Sequence, residues 1–291
     1  MAEFLQRLKT EVLISEGAMS TNLAMGGFDQ TGNAAYWVTN HPDVYQDLLK
    51  AFFNVGCDIS TTYTSASNRF RLKPFGLEDK AGEINYKVAR LTKEVTPSTC
   101  YLGFSLAATA VFLPPMGNAS PDEVYESYVE QVVIAEDVGV DFFQIHGSDI
   151  EQTGLAVKAV KDNSKLPVAV LLHSINPTPK GFRTMMGVSP TMGATKFQEF
   201  GADVIGQTCG GINYEESTAV LKEMRAACSK PLWARPNAGI PELVDGKAVH
   251  PATPEQMVEE APKWVEAGAR IVGGCCGTTL EHMAKVVAVL K

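Results

Sequence analysis

Eight short apolar runs punctuate the chain, each followed by a longer stretch whose apolar positions recur at helical spacing. The runs are 11–15 (EVLIS), 57–62 (CDISTT), 100–106 (CYLGFSL), 141–146 (DFFQIH), 167–172 (PVAVLL), 203–208 (DVIGQT), 231–235 (PLWAR) and 270–273 (RIVG). The helical stretches are 42–55, 77–94, 121–138, 150–161, 190–200, 214–227, 254–267 and 279–290. Ser120-Pro121, Ser189-Pro190 and Thr253-Pro254 mark three helix starts, a capping hydroxyl before proline at the first helical position. Gly56, Gly139, Gly201 and Gly268 each stop a helix just before a strand. Eight alternating strand–helix units predict an α/β fold with a parallel sheet closed into a (β/α)8 TIM barrel, a single domain over 1–291. An open doubly wound sheet is the alternative, but no GxGxxG follows the first strand. Segments 16–41, 107–120 and 236–253 read as the long loops, and all follow strands.

Composition narrows the function. The 291 residues are 45% hydrophobic and 20% charged, as in an ordinary globular domain. A net charge of −8 argues against nucleic acid and anionic membrane as partners. No apolar stretch approaches the roughly 20 residues of a membrane span. The N-terminus does not read as a signal peptide. A cytoplasmic protein with six reduced cysteines is expected, and in that setting clustered cysteines point to metal or catalysis.

Three cysteines stand where barrel enzymes keep their chemistry. Cys209 follows the sixth strand, and Cys275 and Cys276 follow the eighth within GGCCG. Neighbouring residues on a regular strand face opposite ways, so the flanking glycines must turn the backbone for both sulfurs to converge. Three thiolates suit Zn²⁺ and leave its fourth position open, the arrangement of a catalytic zinc. Cys57, Cys100 and Cys228 read as ordinary thiols, and the ten methionines as core and loop filler.

These residues also carry a resemblance. GAMST at 17–21, RTMMGVSP at 183–190, RPNAGIPELVDG at 235–246 and GARIVGGCCGTTLEHM at 268–283, with Cys209 between glycines, resemble the homocysteine S-methyltransferase family. The likeness is strongest to the homocysteine domain of cobalamin-dependent methionine synthase. It implies Zn²⁺ held by Cys209, Cys275 and Cys276, and a thiol such as homocysteine activated as a zinc thiolate for methyl transfer. It also implies a substrate pocket from Glu16, Gly17, Ala18, Met19, Thr62, His146, Thr208 and Asn237.

Three pocket positions depart from the family's pattern. Glu16-Gly17 stands for Asp-Gly, His146 for a glutamate that helps hold the substrate ammonium, and Thr208 for asparagine. A longer carboxylate at Glu16 keeps the charge, and Thr208 keeps one hydrogen bond. An imidazole cannot stand in for a carboxylate beside an ammonium. His146 is therefore a structural histidine, a reader of a different acceptor, or a fourth ligand or acid–base group. Thr62 and Asn237 are equally consistent with strand-end packing and a turn, and His173 with a core or loop histidine.

The methyl donor is not visible in the sequence. In 291 residues neither a folate nor a cobalamin domain is expected beside the barrel. The donor is then a small sulfonium or ammonium compound, or methylcobalamin on a separate corrinoid protein. The alternative function is a corrinoid-coupled demethylation pathway with a non-homocysteine acceptor. A zinc-storage or structural barrel is the non-enzymatic alternative.

Overall fold

The computed structural model describes residues 3–29, 31–244 and 247–291, and the eight apolar runs form the strands of one closed barrel. They are β1 (Leu13–Ile14), β2 (Ile59–Thr61), β3 (Tyr101–Ala107), β4 (Phe142–Gly147), β5 (Val168–Thr178), β6 (Val204–Gly210), β7 (Leu232–Arg235) and β8 (Ala269–Val272). Every neighbouring pair runs parallel, in the order β1–β8–β7–β6–β5–β4–β3–β2. A parallel bridge between Ser15 and Ile59 joins the two ends and closes the ring.

The eight outer helices are α1 (Pro42–Asn54), α2 (Ala81–Val95), α3 (Pro121–Val138), α4 (Ile150–Asn163), α5 (Pro190–Glu199), α6 (Tyr214–Ala227), α7 (Pro254–Glu266) and α8 (Leu280–Leu290). Their start signals act as the sequence indicated. Ser120 and Thr253 form reciprocal capping boxes with Glu123 and Gln256, and Ser189 accepts from Met192 N. No helix among the described residues is long and apolar enough to cross a membrane.

Alternation along the strands builds the site. One set of side chains, including Phe104, Phe143, Val170 and Ile205, packs outward with the helices. The other set fills the barrel: Leu13, Ile59, Tyr101, Phe142, Leu171, Val204, Trp233 and Ile271. The N-terminal helix Glu3–Arg7 plugs the bottom of the barrel, with Phe4 stacked on Phe142 at 4.5 Å. Two residues further along three of these strands the same parity becomes polar. Phe142 gives way to Gln144 and His146, Leu171 to His173, and Trp233 to Arg235. The lower barrel is thus an apolar plug and the upper barrel a polar cup.

Several segments differ from the sequence-based expectation. Segment 16–41 is not a plain loop: it folds into helices Met19–Met25 and Ala34–Asn40. Met19 and Leu23 on the first helix and Ala35 and Val38 on the second, each pair at helical spacing, are buried against α1 and α2, and Asn33 caps the second helix by accepting from Tyr36 N. Segment 236–253 carries an antiparallel hairpin, Glu242–Val244 with Lys247–Val249; residues 245 and 246 of the RPNAGIPELVDG motif lie outside the described residues. β5 runs on to Thr178 because its end pairs with Gly181–Arg183. The helix expected from 77 begins at Ala81, after a 3-10 turn over Glu78–Lys80.

Candidate metal centre and its pocket

Three sulfurs converge at the C-terminal mouth of the barrel. β6 bends at Cys209, whose φ of 57° is left-handed and rare for a residue with a side chain. The next residue, Gly210, has φ of 119°, and a Cβ there would lie 2.1 Å from the Ile175 carbonyl oxygen. Glycine alone lets the strand end so close to β5. β8 stops at Val272, so Cys275 and Cys276 lie in a turn beyond the strand and escape its alternation. Thr278 closes that turn, donating from N (3.1 Å) and Oγ1 (2.7 Å) to the Cys275 carbonyl.

The Sγ atoms of Cys209 and Cys276 are 3.7 Å apart, those of Cys275 and Cys276 4.0 Å, and all three lie within 4.8 Å of one another. A tetrahedral ion with metal–sulfur bonds of about 2.3 Å needs sulfurs about 3.8 Å apart, so the cluster fits Zn²⁺ with a small contraction. Among the described residues no other group of three or more His, Cys, Asp or Glu side chains has metal-site spacing. Hydrogen bonds from Cys209 and then Cys276 hold the Cys275 thiol well below the ordinary range, and the Arg235 guanidinium adds to this. Cys209 is pushed up in return, first by its hydrogen bond to Cys275.

The segment after β7 ties the two cysteine-bearing segments together. Asn237 Nδ2 donates to the Gly210 carbonyl at 2.7 Å. Cys275 N donates to the Pro236 carbonyl, and Ala238 N to the Cys276 carbonyl, both at 2.8 Å. Asn237 therefore holds the ligand segments rather than facing the cavity. Thr208 is fully buried, and its hydroxyl has no hydrogen-bond partner among the described residues.

A cavity of about 190 Å³ opens on the sulfurs. Glu16, Ala18, Met19, Thr62 and His146 line it together with the three cysteines, as do Thr61, Tyr63, His173 and Arg235. Gly17 does not; it packs beneath the Thr278 carbonyl, where a Cβ would come within 3.0 Å.

A buried charge network forms the floor. Arg235 donates to Glu16 Oε1 (2.9 Å), the Gly274 carbonyl (3.0 Å) and Gln144 Oε1 (3.4 Å). Thr61 Oγ1 donates to the same Glu16 oxygen at 2.6 Å, while Glu16 Oε2 has no partner among the described residues. Because Gln144 Oε1 faces the guanidinium it must be the acceptor. His146 Nε2, 3.0 Å from that oxygen, therefore carries the proton and leaves Nδ1 a bare acceptor. Burial, the stacked His173 ring (5.5 Å between centroids) and Arg235 pull the His146 pKa down to about 3. His173 is lowered by burial as well, so both rings are neutral. Tyr63, hydrogen-bonded to Ser20, is raised to about 12 by burial and keeps its proton.

Sequence reasoning passed over Arg235 and Gln144. Their signal was parity: each stands two residues beyond a large barrel-filling aromatic, Trp233 or Phe142, on the same face of its strand.

Comparison with known proteins places this geometry. The sequence pattern that defines the homocysteine S-methyltransferase family matches residues 13–290. The methionine synthase of Mycobacterium leprae is 24% identical over 98% of this chain, and the alignment spans 25% of that protein. The chain thus spans about a quarter of the length of the mycobacterial methionine synthases it matches. The S-methylmethionine–homocysteine S-methyltransferase BHMT2 of Pongo abelii is 24% identical over 97% of this chain and 79% of its own. Among solved structures, the metallated homocysteine methyltransferase MmuM of Escherichia coli shares the fold, with a TM-score of 0.79 at 17% identity over 96% of both chains.

Proposed function

This chain belongs to the homocysteine S-methyltransferase family, and we propose that it is a zinc-dependent, cytoplasmic S-methyltransferase that methylates homocysteine or a closely related thiol, giving methionine or the corresponding thioether. The observation that supports this most is the cluster of Cys209, Cys275 and Cys276 opening on a cavity sized for a small thiol. The three cysteines would hold Zn²⁺, which when bound supplies the Lewis acidity that removes the acceptor thiol's proton at neutral pH.

The chain's own residues bind and orient. Glu16 and Arg235 present a fixed dipole at the floor, with Glu16 Oε2 unspent as an acceptor. Neutral His146 offers its bare Nδ1, and Ser20 and Tyr63 close one side. A donor of any bulk must deliver its methyl group from the mouth of this cavity. A small sulfonium or ammonium donor, or a separate methyl-carrying corrinoid protein, meets that requirement.

His146 and Arg235 favour a second form of this reading, a demethylation pathway coupled to a corrinoid protein with an acceptor other than homocysteine. Among the described residues the only carboxylate lining the cavity is already paired with a guanidinium, and the neighbouring imidazole is neutral. An acceptor ammonium would therefore meet little negative charge here.

Titration of Co²⁺-substituted protein with homocysteine separates the possibilities. A thiolate-to-cobalt absorption saturating at one equivalent supports homocysteine. A signal with 4-mercaptobutanoate but none with homocysteine supports the second form. No signal with either thiol would sink the metal–thiol reading.

A further inference from the structure

A second and larger pocket adjoins the thiol cavity, and we propose that it binds an anionic organic molecule with a planar or apolar body, on the donor side of the metal centre. The pocket measures about 770 Å³ against about 190 Å³ for the thiol cavity. Segments following β1, β2 and β3 form it, so it opens on the same face of the barrel. The two spaces share Ser20, whose hydroxyl is hydrogen-bonded to Tyr63 of the thiol cavity.

The walls define the ligand. Phe28, Phe70 and Phe75 supply apolar surface, and Arg71 and Lys73 supply two positive charges. No Asp or Glu lines the pocket among the described residues, a local reversal in a chain of net charge −8. Arg71 Nε donates to the Ala108 carbonyl at 2.6 Å, while Nη1 and Nη2 have no hydrogen-bond partner among the described residues. Burial lowers the Arg71 pKa, opposed only by the Tyr128 hydroxyl, as befits a cation that no carboxylate faces.

A guanidinium with a free fork, beside a lysine, is matched by a carboxylate or phosphate held by paired hydrogen bonds. Two uncompensated cations repel a sulfonium or quaternary ammonium group. The pocket therefore selects an anionic molecule over those cationic methyl donors. Its place on the donor side rests on the methyltransferase reading; its anion chemistry does not.

Calorimetric titration of the zinc-loaded full chain tests this with two aromatic probes of opposite charge, phenyl phosphate and benzyltrimethylammonium. One equivalent of phenyl phosphate is expected to bind, and Arg71→Gln and Lys73→Glu are each expected to weaken it about tenfold. Lys73 is exposed, so that variant keeps the fold if Arg71→Gln does not. Phenyl phosphate failing to bind, binding both variants as well as the native chain, or binding no better than benzyltrimethylammonium would overturn the proposal. Neither probe carries a thiol. A chain that gives the cobalt–thiolate signal but ignores phenyl phosphate refutes the pocket alone, and the converse result refutes the methyltransferase reading alone.

Discussion

Arg235 Nη2 and Glu16 Oε1 meet at 2.9 Å with both side chains almost fully buried, so the floor of the thiol cavity is an ion pair sealed inside the barrel. The pair links β1 to β7 and, through the Gly274 carbonyl, to the turn that carries two of the cysteines. Breaking a buried pair strands one charge. Arg235→Met should therefore destabilise the fold by about 3–5 kcal/mol, and Glu16→Gln in the same chain should restore much of the loss. Urea unfolding with an unchanged m-value measures both. Equal stability of Arg235→Met and the double variant would show that the stranded Glu16 carboxylate costs nothing.

The six cysteines divide into two groups. Cys209→Ser, Cys275→Ser and Cys276→Ser should each lower zinc affinity by more than about 100-fold, the upper end of what losing a supporting residue costs. Cys57→Ala, Cys100→Ala and Cys228→Ala should leave one zinc per chain. Metal analysis after dialysis against a graded chelator reads the difference.

Asn237 tests positioning without removing a ligand. Its amide bridges the segment after β7 to the Gly210 carbonyl beside Cys209. Asn237→Ala should weaken zinc binding about 10–100-fold while leaving the stoichiometry at one. A chain with native affinity would mean that the backbone bonds from Cys275 and Ala238 hold the cluster unaided.

The barrel was legible because strand and helix periods alternate eight times and because capping residues such as Ser120 and Thr253 announce the helices. The cysteine cluster was legible because glycines and strand ends coincide at Cys209, Cys275 and Cys276. The floor was not. Arg235 reads in sequence as the end of a strand beside a PNAG turn, and only barrel closure brings it to Glu16, 219 residues away. Likewise Ser20 and Tyr63 lie 43 residues apart, and the helix Met19–Met25 joins them inside what the sequence gives as a loop. Parity turns Arg235 into the barrel, but which residue it meets is decided by ring closure and leaves no local pattern.

Three histidines drawn away from solvent contribute to the response to acid. Burial lowers the pKa of His146, His173 and His282; His282 accepts at Nδ1 from Thr279 N and faces the Ala252 carbonyl through Nε2. In the unfolded chain they titrate near 6.5, so below that pH the unfolded state binds more protons and stability falls. Above it their contribution is constant. The loss for His146 runs from about 6.5 down to its folded value of about 3, at up to about 1.4 kcal/mol per pH unit for each histidine. His282→Gln, remote from the cysteines, should flatten the slope of unfolding free energy between pH 6.5 and 5. An unaltered slope would place the acid sensitivity elsewhere.

His146 decides how the pocket treats an ammonium. Arg235 fixes the orientation of Gln144, and Gln144 fixes the His146 tautomer, so a neutral ring stands where the family resemblance expects a carboxylate. His146→Glu would add a negative charge beside the thiol cavity. Homocysteine and 4-mercaptobutanoate differ only in the amino group, so their affinity ratio isolates the ammonium from the shared thiol and carboxylate. That ratio should move about tenfold toward homocysteine in the variant, the effect of one charge-assisted hydrogen bond. Cobalt-thiolate titrations with both thiols measure it. If both affinities change by the same factor, the acceptor's amino end does not lie at His146, and discrimination must come from Glu16 Oε2 instead.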